Sequence, residues 1–322
     1  MFRFSAILSV IAALCLVTGA ASGQSPAAAP APATPPTWSI GETVVQVDNE
    51  RRTAFSGSLA PLPPGTTAWR LDLSDDIVLS GSPDFRDKTI AEGIDPVFSP
   101  DGRLVAYCGF PGVGRDLQIM VIRADGSGKY PLTNIAGAPC APAWSPDGTR
   151  IAFNATSNKG PVVMVLDLKE AKILTIARGT DPRWSPNGKK LLFIQSPGAD
   201  GQPFAISIAN SDGTDQKKIV DVRALVPAAS WSPDGASVVY TNDVHHRSAI
   251  FRVNLDGTNP EEIAGDKNLE MYFPSISPDG KQLVVVTGDD NSATLQLIDL
   301  DTHKARTLSA GTRGEVHWVK SH

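Results

Sequence analysis

Five times the chain writes one short phrase: VFSPDG at 97–102, AWSPDG at 143–148, RWSPNG at 183–188, SWSPDG at 230–235 and SISPDG at 275–280. The steps between the serines (Ser99, Ser145, Ser185, Ser232, Ser277) are 46, 40, 47 and 45 residues. A period of that length holds four short strands and their turns and is too short for an independent domain, so it constrains the fold more than any other feature.

One period shows the physical content. In the copy at 143–148, Pro146 presets the backbone for the second position of a turn, Asp147 tolerates the third, and Gly148 supplies a left-handed residue that closes a hairpin. The segment TRIAFNA at 149–155 alternates like a half-buried strand, VVMVLDL at 162–168 is a near-continuous apolar strand, and KILTIA at 172–177 is the outermost. The other periods repeat this order, and no window of ten or more residues has helical spacing. The expected class is all-β, with four antiparallel strands per blade of a propeller.

The blade count depends on the chain ends. Trp318 in GEVHWVKSH occupies the slot of Trp144, Trp184 and Trp231, but no turn follows it. Residues 38–90 offer the complement: TVVQVDN, AWRLDLSDD and an outer segment at Ile77–Leu79, with no WSPDG before them. Joining the C-terminal strand to the N-terminal blade predicts a sixth blade, which closes the ring and leaves no open inner edge.

Upstream, Arg3 precedes an apolar run from Ser5 to Val17 and a small-residue stretch, Gly19-Ala20-Ala21-Ser22. Residues 1–23 therefore read as a secretory signal peptide, the alternative being a retained N-terminal anchor. The run is shorter than the about 20 apolar residues a spanning helix needs, and Leu14 before Cys15 excludes lipidation at that cysteine. Residues 24–37 form a Pro/Ala-rich linker, and 38–322 the propeller. The mature chain is expected to be periplasmic or secreted, with no membrane span. A net charge of −5 without basic clusters argues against nucleic acid and acidic lipid as partners.

WSPDG, then a strand, a loop, an I-x-V-x-D type of strand and a D-G turn resembles the TolB-like propeller repeat, over residues 38–322. The family's namesake has an α/β domain before its propeller; residues 24–37 leave no room for one, so the propeller part alone is expected. Related repeats occur in prolyl-oligopeptidase-type enzymes, but the chain has no G-x-S-x-G elbow for a nucleophile. The resemblance implies a protein or peptide partner in the cell envelope, such as a peptidoglycan-associated lipoprotein.

Chemistry-bearing residues fall in three groups. Phe98, Trp144, Trp184, Trp231 and Trp318 recur at the repeat period and are expected to wedge between blades. The residues just before each innermost strand (Asp95, Ala141, Asp181, Ala228, Phe273 and Glu315) are expected at the channel mouth. There Asp95, Asp181, Phe273 and Glu315 are the candidate binding residues, the bland alternative for the acids being solvated strand entries. The third group is Cys108 and Cys140, which fall on that same face of adjacent blades. A bridge closing this 32-residue loop would contribute on the order of 3–4 kcal/mol; two free buried thiols are the alternative.

No cofactor is expected. The adjacent His245 and His246 point in opposite directions on an extended chain, so no metal site is expected of them. Asn154-Ala155-Thr156 fits a glycosylation acceptor. The function expected is a non-enzymatic, exported, protein-binding propeller. The alternative is a polysaccharide lyase or glycosidase using Asp95, Asp181 and Glu315, which would require carboxyls about 5–9.5 Å apart.

Overall fold

Every Ser-Pro-Asp/Asn-Gly segment ties the same knot. In the second copy the Gly148 amide donates to the Ser145 carbonyl at 2.8 Å, and Gly148 stands at φ 70°. The buried Ser145 hydroxyl donates to Asp147 Oδ1 at 2.5 Å and accepts the Arg150 amide at 2.9 Å. Asp147 also takes the Thr149 amide, so this carboxylate is a turn fastener rather than a free anion. The copies at Ser99, Ser232 and Ser277 repeat the hydroxyl–carboxylate bond at 2.5 Å, and Asn187 substitutes for Asp in the copy at Ser185 with a 2.9 Å bond.

The computed structural model describes residues 46–47, 66–70, 76–80, 88–112, 116–196, 203–224, 227–244, 247–266, 269–277, 279–288, 293–310 and 316–320. The knots join strands into five antiparallel four-stranded blades. Blade 1 contains Ile94–Phe98, Leu104–Gly109, Gln118–Arg123 and Tyr130–Pro131, and blade 2 contains Cys140–Trp144, Arg150–Ser157, Gly160–Asp167 and Lys172–Arg178. Blade 3 runs through Thr180–Trp184, Lys190–Gln195, Phe204–Asn210 and Lys217–Val222. Blade 4 has Ala229–Trp231, Ser237–Val244, Arg247–Asn254 and Glu261–Ala264; blade 5 has Glu270–Ile276, Gln282–Gly288, Ala293–Asp299 and Ala305–Ala310. The first strand of each is innermost, and the inner strands stand side by side in chain order.

Five complete blades stand where six were expected. The remaining described strands make two smaller sheets. Gln46–Val47, Asp76–Ser80 and Lys88–Glu92 form one, while Thr66–Arg70 pairs with Val316–Lys320 in the other, Ala68 opposite Trp318. The reason is visible in the sequence: this part has no Ser-Pro-Asp-Gly knot to fix which strand follows which. Residues 1–23 and 24–37, read as signal and linker, lie outside the described residues. No helix among the described residues is long and apolar enough to cross a membrane.

The second strands are buried on both faces, not on one as the alternation of TRIAFNA suggested. Ile151, Ala152 and Phe153 are all fully buried. In blade 3, Leu191 and Phe193 pack toward blade 2 while Leu192 packs toward blade 4. Blade 1 likewise turns Ala106 and Cys108 to blade 2, and Val105 and Tyr107 to Ala91. A blade is thus a sheet with two apolar faces, and neither can be buried without a neighbour.

The repeat tryptophans lie in these seams. Trp184 is 8% exposed within the cluster shared by blades 2 and 3, and its Nε1–H donates to the Ala143 carbonyl of blade 2 at 3.0 Å. Trp231 donates to Arg183 at 3.0 Å and Trp144 to Val97 at 3.2 Å. Each indole therefore reaches the residue just before the aromatic slot of the preceding blade. Phe98 has no such donor, and the side chain of Trp318 lies outside the described residues. The Arg150 guanidinium caps the Trp184 ring at 4.5 Å and donates to the Gly188 carbonyl at 3.0 Å, a second stitch across the seam.

Trp184→Phe keeps most of the packing but removes the indole donor to the Ala143 carbonyl, and should cost about 0.5–1.5 kcal/mol in urea unfolding. Trp184→Ala should cost about 3–5 kcal/mol; equal losses in the two variants would rule out the hydrogen bond as a separate contribution. The knots also predict an acid limb. The hydrogen bond from the serine hydroxyl holds the carboxyls of Asp147, Asp234 and Asp279 below the usual range. Stability from such groups is complete above the unfolded-state pKa of about 3.9 and is lost as pH falls through the lower folded values. Replacing all three by Asn, as the chain itself does at Asn187, should flatten the fall in melting temperature below about pH 4.

Candidate functional site at the inner-strand entrances

Four of the five inner strands carry a residue followed by proline: Asp95-Pro96, Ala141-Pro142, Asp181-Pro182 and Phe273-Pro274. Proline has no N–H for a ladder, and the pairing slips at each of these places. The residue before each proline adopts a positive φ: 51° at Asp95, 51° at Ala141, 55° at Asp181 and 52° at Phe273. Blade 4 is an internal control. It has Ala228-Ala229 with no proline, its pairing runs unshifted from Ala229 to Trp231, and Ala228 is not among the positive-φ residues.

These four bulge residues are among the six positions expected at the channel mouth. Because neighbouring strands are antiparallel, the start of each inner strand lies at the same end of the blade as the loop joining the second and third strands. Phe110, 60% exposed, stands in such a loop of blade 1, so Phe110 and the half-buried Phe273 share one face. The knots and the outer D-G turns occupy the opposite face. Glu315 lies outside the described residues, as do His245 and His246.

The two described carboxylates of the mouth have separate surroundings. Asp181 is ion-paired with Arg183 two residues on, at 2.9 Å, with side chains 23% and 16% exposed. Its amide donates to Asn154 Oδ1 of blade 2 at 3.3 Å. That contact places the Asn154 side chain in the seam between blades, which is no position for a glycan. Asp95 instead faces blade 2, its Oδ2 accepting the Ala141 amide at 3.3 Å and lying 3.8 Å from Cys108 Sγ. Cys108 and Cys140 are joined by a disulfide, Cα atoms 5.2 Å apart, and both are buried. The bond ties the second strand of blade 1 to the inner strand of blade 2.

The four bulges therefore place one backbone conformation on a common face. This face carries an acid–guanidinium pair at blade 3, a half-buried aromatic ring at blade 5 and, between blades 1 and 2, a half-buried carboxylate beside a buried disulfide. Such a set offers charge and apolar surface. The sequence contained the signal for its geometry in the x-Pro pairs, most plainly in GIDP at 93–96 and GTDP at 179–182. A Cβ at Gly179 would meet the Ile194 carbonyl oxygen at 2.6 Å, so this strand entry needs glycine.

A family model described as the TolB beta propeller domain matches residues 87–212 and 116–318. The chain is similar to the Tol-Pal system protein TolB of Francisella tularensis subsp. tularensis strain WY96-3418, at 27% identity over 194 residues. That match covers 58% of this chain and 44% of the relative, so the chain spans less than half the length of that curated protein. Among solved structures, TolB from Acinetobacter baumannii superposes with a TM-score of 0.61 at 19% identity, covering 79% of this chain and 66% of that one. An oligogalacturonate lyase in complex with manganese superposes with a TM-score of 0.53 at 16% identity, over 82% and 84% of the two chains. At such identities both likenesses show the fold alone.

The bulge makes a stability prediction. Ala141→Gly should be nearly neutral, relief at positive φ offsetting added freedom in the unfolded chain. Ala141→Val puts a branched side chain at φ 51° and should lower stability by about 1–2 kcal/mol or more in chemical denaturation. Equal stability of the Gly and Val variants would show that the left-handed backbone is not required there.

Proposed function

We propose that this chain, which belongs to the TolB beta propeller domain family, is an exported binding module that docks a protein or peptide of the cell envelope on its inner-strand-entrance face. Residues 1–23 serve as the export signal in this reading, and the location is periplasmic or secreted. The observation that carries it is the repeated bulge. Four blades project one side chain from the same rigid place, and at Asp181 and Phe273 that side chain is charged or aromatic. Pre-set contacts of this kind lose little entropy on docking.

The ring is read as six-bladed. Supporting this, Val316–Lys320 lies beside the inner strand of blade 5 and pairs with Thr66–Arg70. Lys88–Glu92 packs Ala91 against the free face of blade 1. The terminal strands then supply the last blade, and Glu315 enters the rim with Asp95 and Asp181. The partner suggested by the named relatives is a protein of the Tol-Pal system, and the specific candidate is a peptidoglycan-associated lipoprotein. A polar and aromatic rim suits such a soluble partner domain.

The test uses the mature chain and the purified soluble domain of that lipoprotein from the same cell, with titration calorimetry as readout. Phe110→Asp and Phe273→Asp, the latter tolerated at positive φ, should each weaken binding roughly tenfold or more, as the loss of an aromatic anchor does. Asp256→Lys, in a D-G turn on the opposite face, should leave it unchanged. No binding by the parent would remove this partner, and weakening by Asp256→Lys alone would move docking to the other face.

A further inference from the structure

Among the described residues, one cluster brings three metal-ligating side chains together. Asp95, Cys108 and Cys140 each offer one ligand atom, and those atoms all lie within 4.8 Å of one another. Zinc–sulfur bonds of about 2.3 Å and zinc–oxygen bonds of about 2.0–2.2 Å place two ligands of a tetrahedral ion roughly 3.5–3.8 Å apart. Asp95 Oδ2 and Cys108 Sγ already stand 3.8 Å apart. With Cα atoms 5.2 Å apart, two freed sulfurs reach one ion by side-chain rotation. The Ala141 amide, donating to Asp95 Oδ2, orients the carboxylate from outside the ligand set.

We infer that Asp95, Cys108 and Cys140 form a redox-gated site for a thiolate-preferring divalent cation, Zn²⁺ in the first instance. The oxidised chain holds the disulfide and the reduced chain holds the ion, so the seam between blades 1 and 2 is tied in both states. Blade 3 shows that the local sequence is not enough. Its G-x-D-P segment puts Asp181 in the same bulge, but that carboxylate pairs with Arg183 and its seam has no cysteines. The fourth ligand position goes to water from the mouth side, where Asp95 is half-buried while both cysteines are buried.

The chemistry balances with a dithiol or a phosphine as reductant. A phosphine gives two electrons to the disulfide and takes the oxygen of a water, whose two protons leave both sulfurs as thiols. Zn²⁺ then displaces those two protons into solvent and gains two thiolates and the carboxylate.

The experiment reduces the mature chain with a water-soluble phosphine in the absence of oxygen and titrates Co²⁺ as a spectroscopic stand-in, followed by Zn²⁺. The reduced parent should take up one equivalent, with a thiolate-to-cobalt absorption that Zn²⁺ bleaches, while the oxidised chain and a Cys108→Ser/Cys140→Ser variant show none. Asp95→Asn, with both thiols intact, should weaken binding roughly tenfold or more, since even outer partners of metal ligands are worth about that. Circular dichroism runs alongside. A folded, reduced parent that takes up no ion overturns the site. So does Asp95→Asn binding as tightly as the parent, which is what two thiols on an unravelled chain would give, or a reduced parent that loses its β signal and does not recover it with Zn²⁺.

Discussion

The structure depends on a sheet that cannot be buried alone. Each blade has apolar side chains on both faces, as the fully buried run Ile151, Ala152, Phe153 makes plain, and so needs a neighbour on either side. Hydrophobic burial is non-directional and would tolerate sliding of one blade along the next. The indole N–H bonds remove that freedom. Trp184 reaches Ala143 and Trp231 reaches Arg183, always one residue before the aromatic slot of the preceding blade, so they set the stagger that burial leaves open. At blade 5, Ile276 has no donor, and Ser230 Oγ instead donates across the seam to the Pro274 carbonyl at 2.7 Å.

The period, the strand order within each blade and the turn geometry were legible in the sequence, because each is set by residues close together in the chain. Pro146, Asp147 and Gly148 leave the backbone few alternatives, and Gly148 takes the expected left-handed conformation. What lay beyond reach was set between blades. TRIAFNA looks half-buried only when a blade is considered by itself, since a strand with two neighbours buries both sides. The sixth blade was inferred from a register with no knot to enforce it, and the described strands there divide between two sheets.

The place of the bulge was legible, and the surroundings of its side chains were not. Aligning on the knot picked out six positions; of the five described, Asp95, Ala141, Asp181 and Phe273 share one backbone conformation and Ala228 does not. The alignment gave no sign that the carboxylates serve different ends. Asp181 has Arg183 on its own strand, whereas Asp95 meets a cysteine pair whose second member belongs to the next blade. Three acids around one opening, Asp95, Asp181 and Glu315, were the reading taken from the repeat. Repeats, however, preserve the backbone and let side chains diverge wherever stacking does not constrain them.

The two ends of the blades consequently differ in kind. At the knot end, carboxylates are consumed by the fold: Asp147, Asp234 and Asp279 each receive a serine hydroxyl and a backbone amide, and this holds them ionised. At the entrance end of four of the five blades, proline has already removed the backbone donor that would compete, and the bulge turns one side chain out of the ladder. The same local irregularity therefore does two things. It ends ladder pairing without stranding an N–H, and it sets side chains of different chemistry on one backbone conformation. At four blades one backbone conformation thus carries Asp95, Ala141, Asp181 and Phe273, so the local geometry is fixed by the proline while the side chain beside it differs.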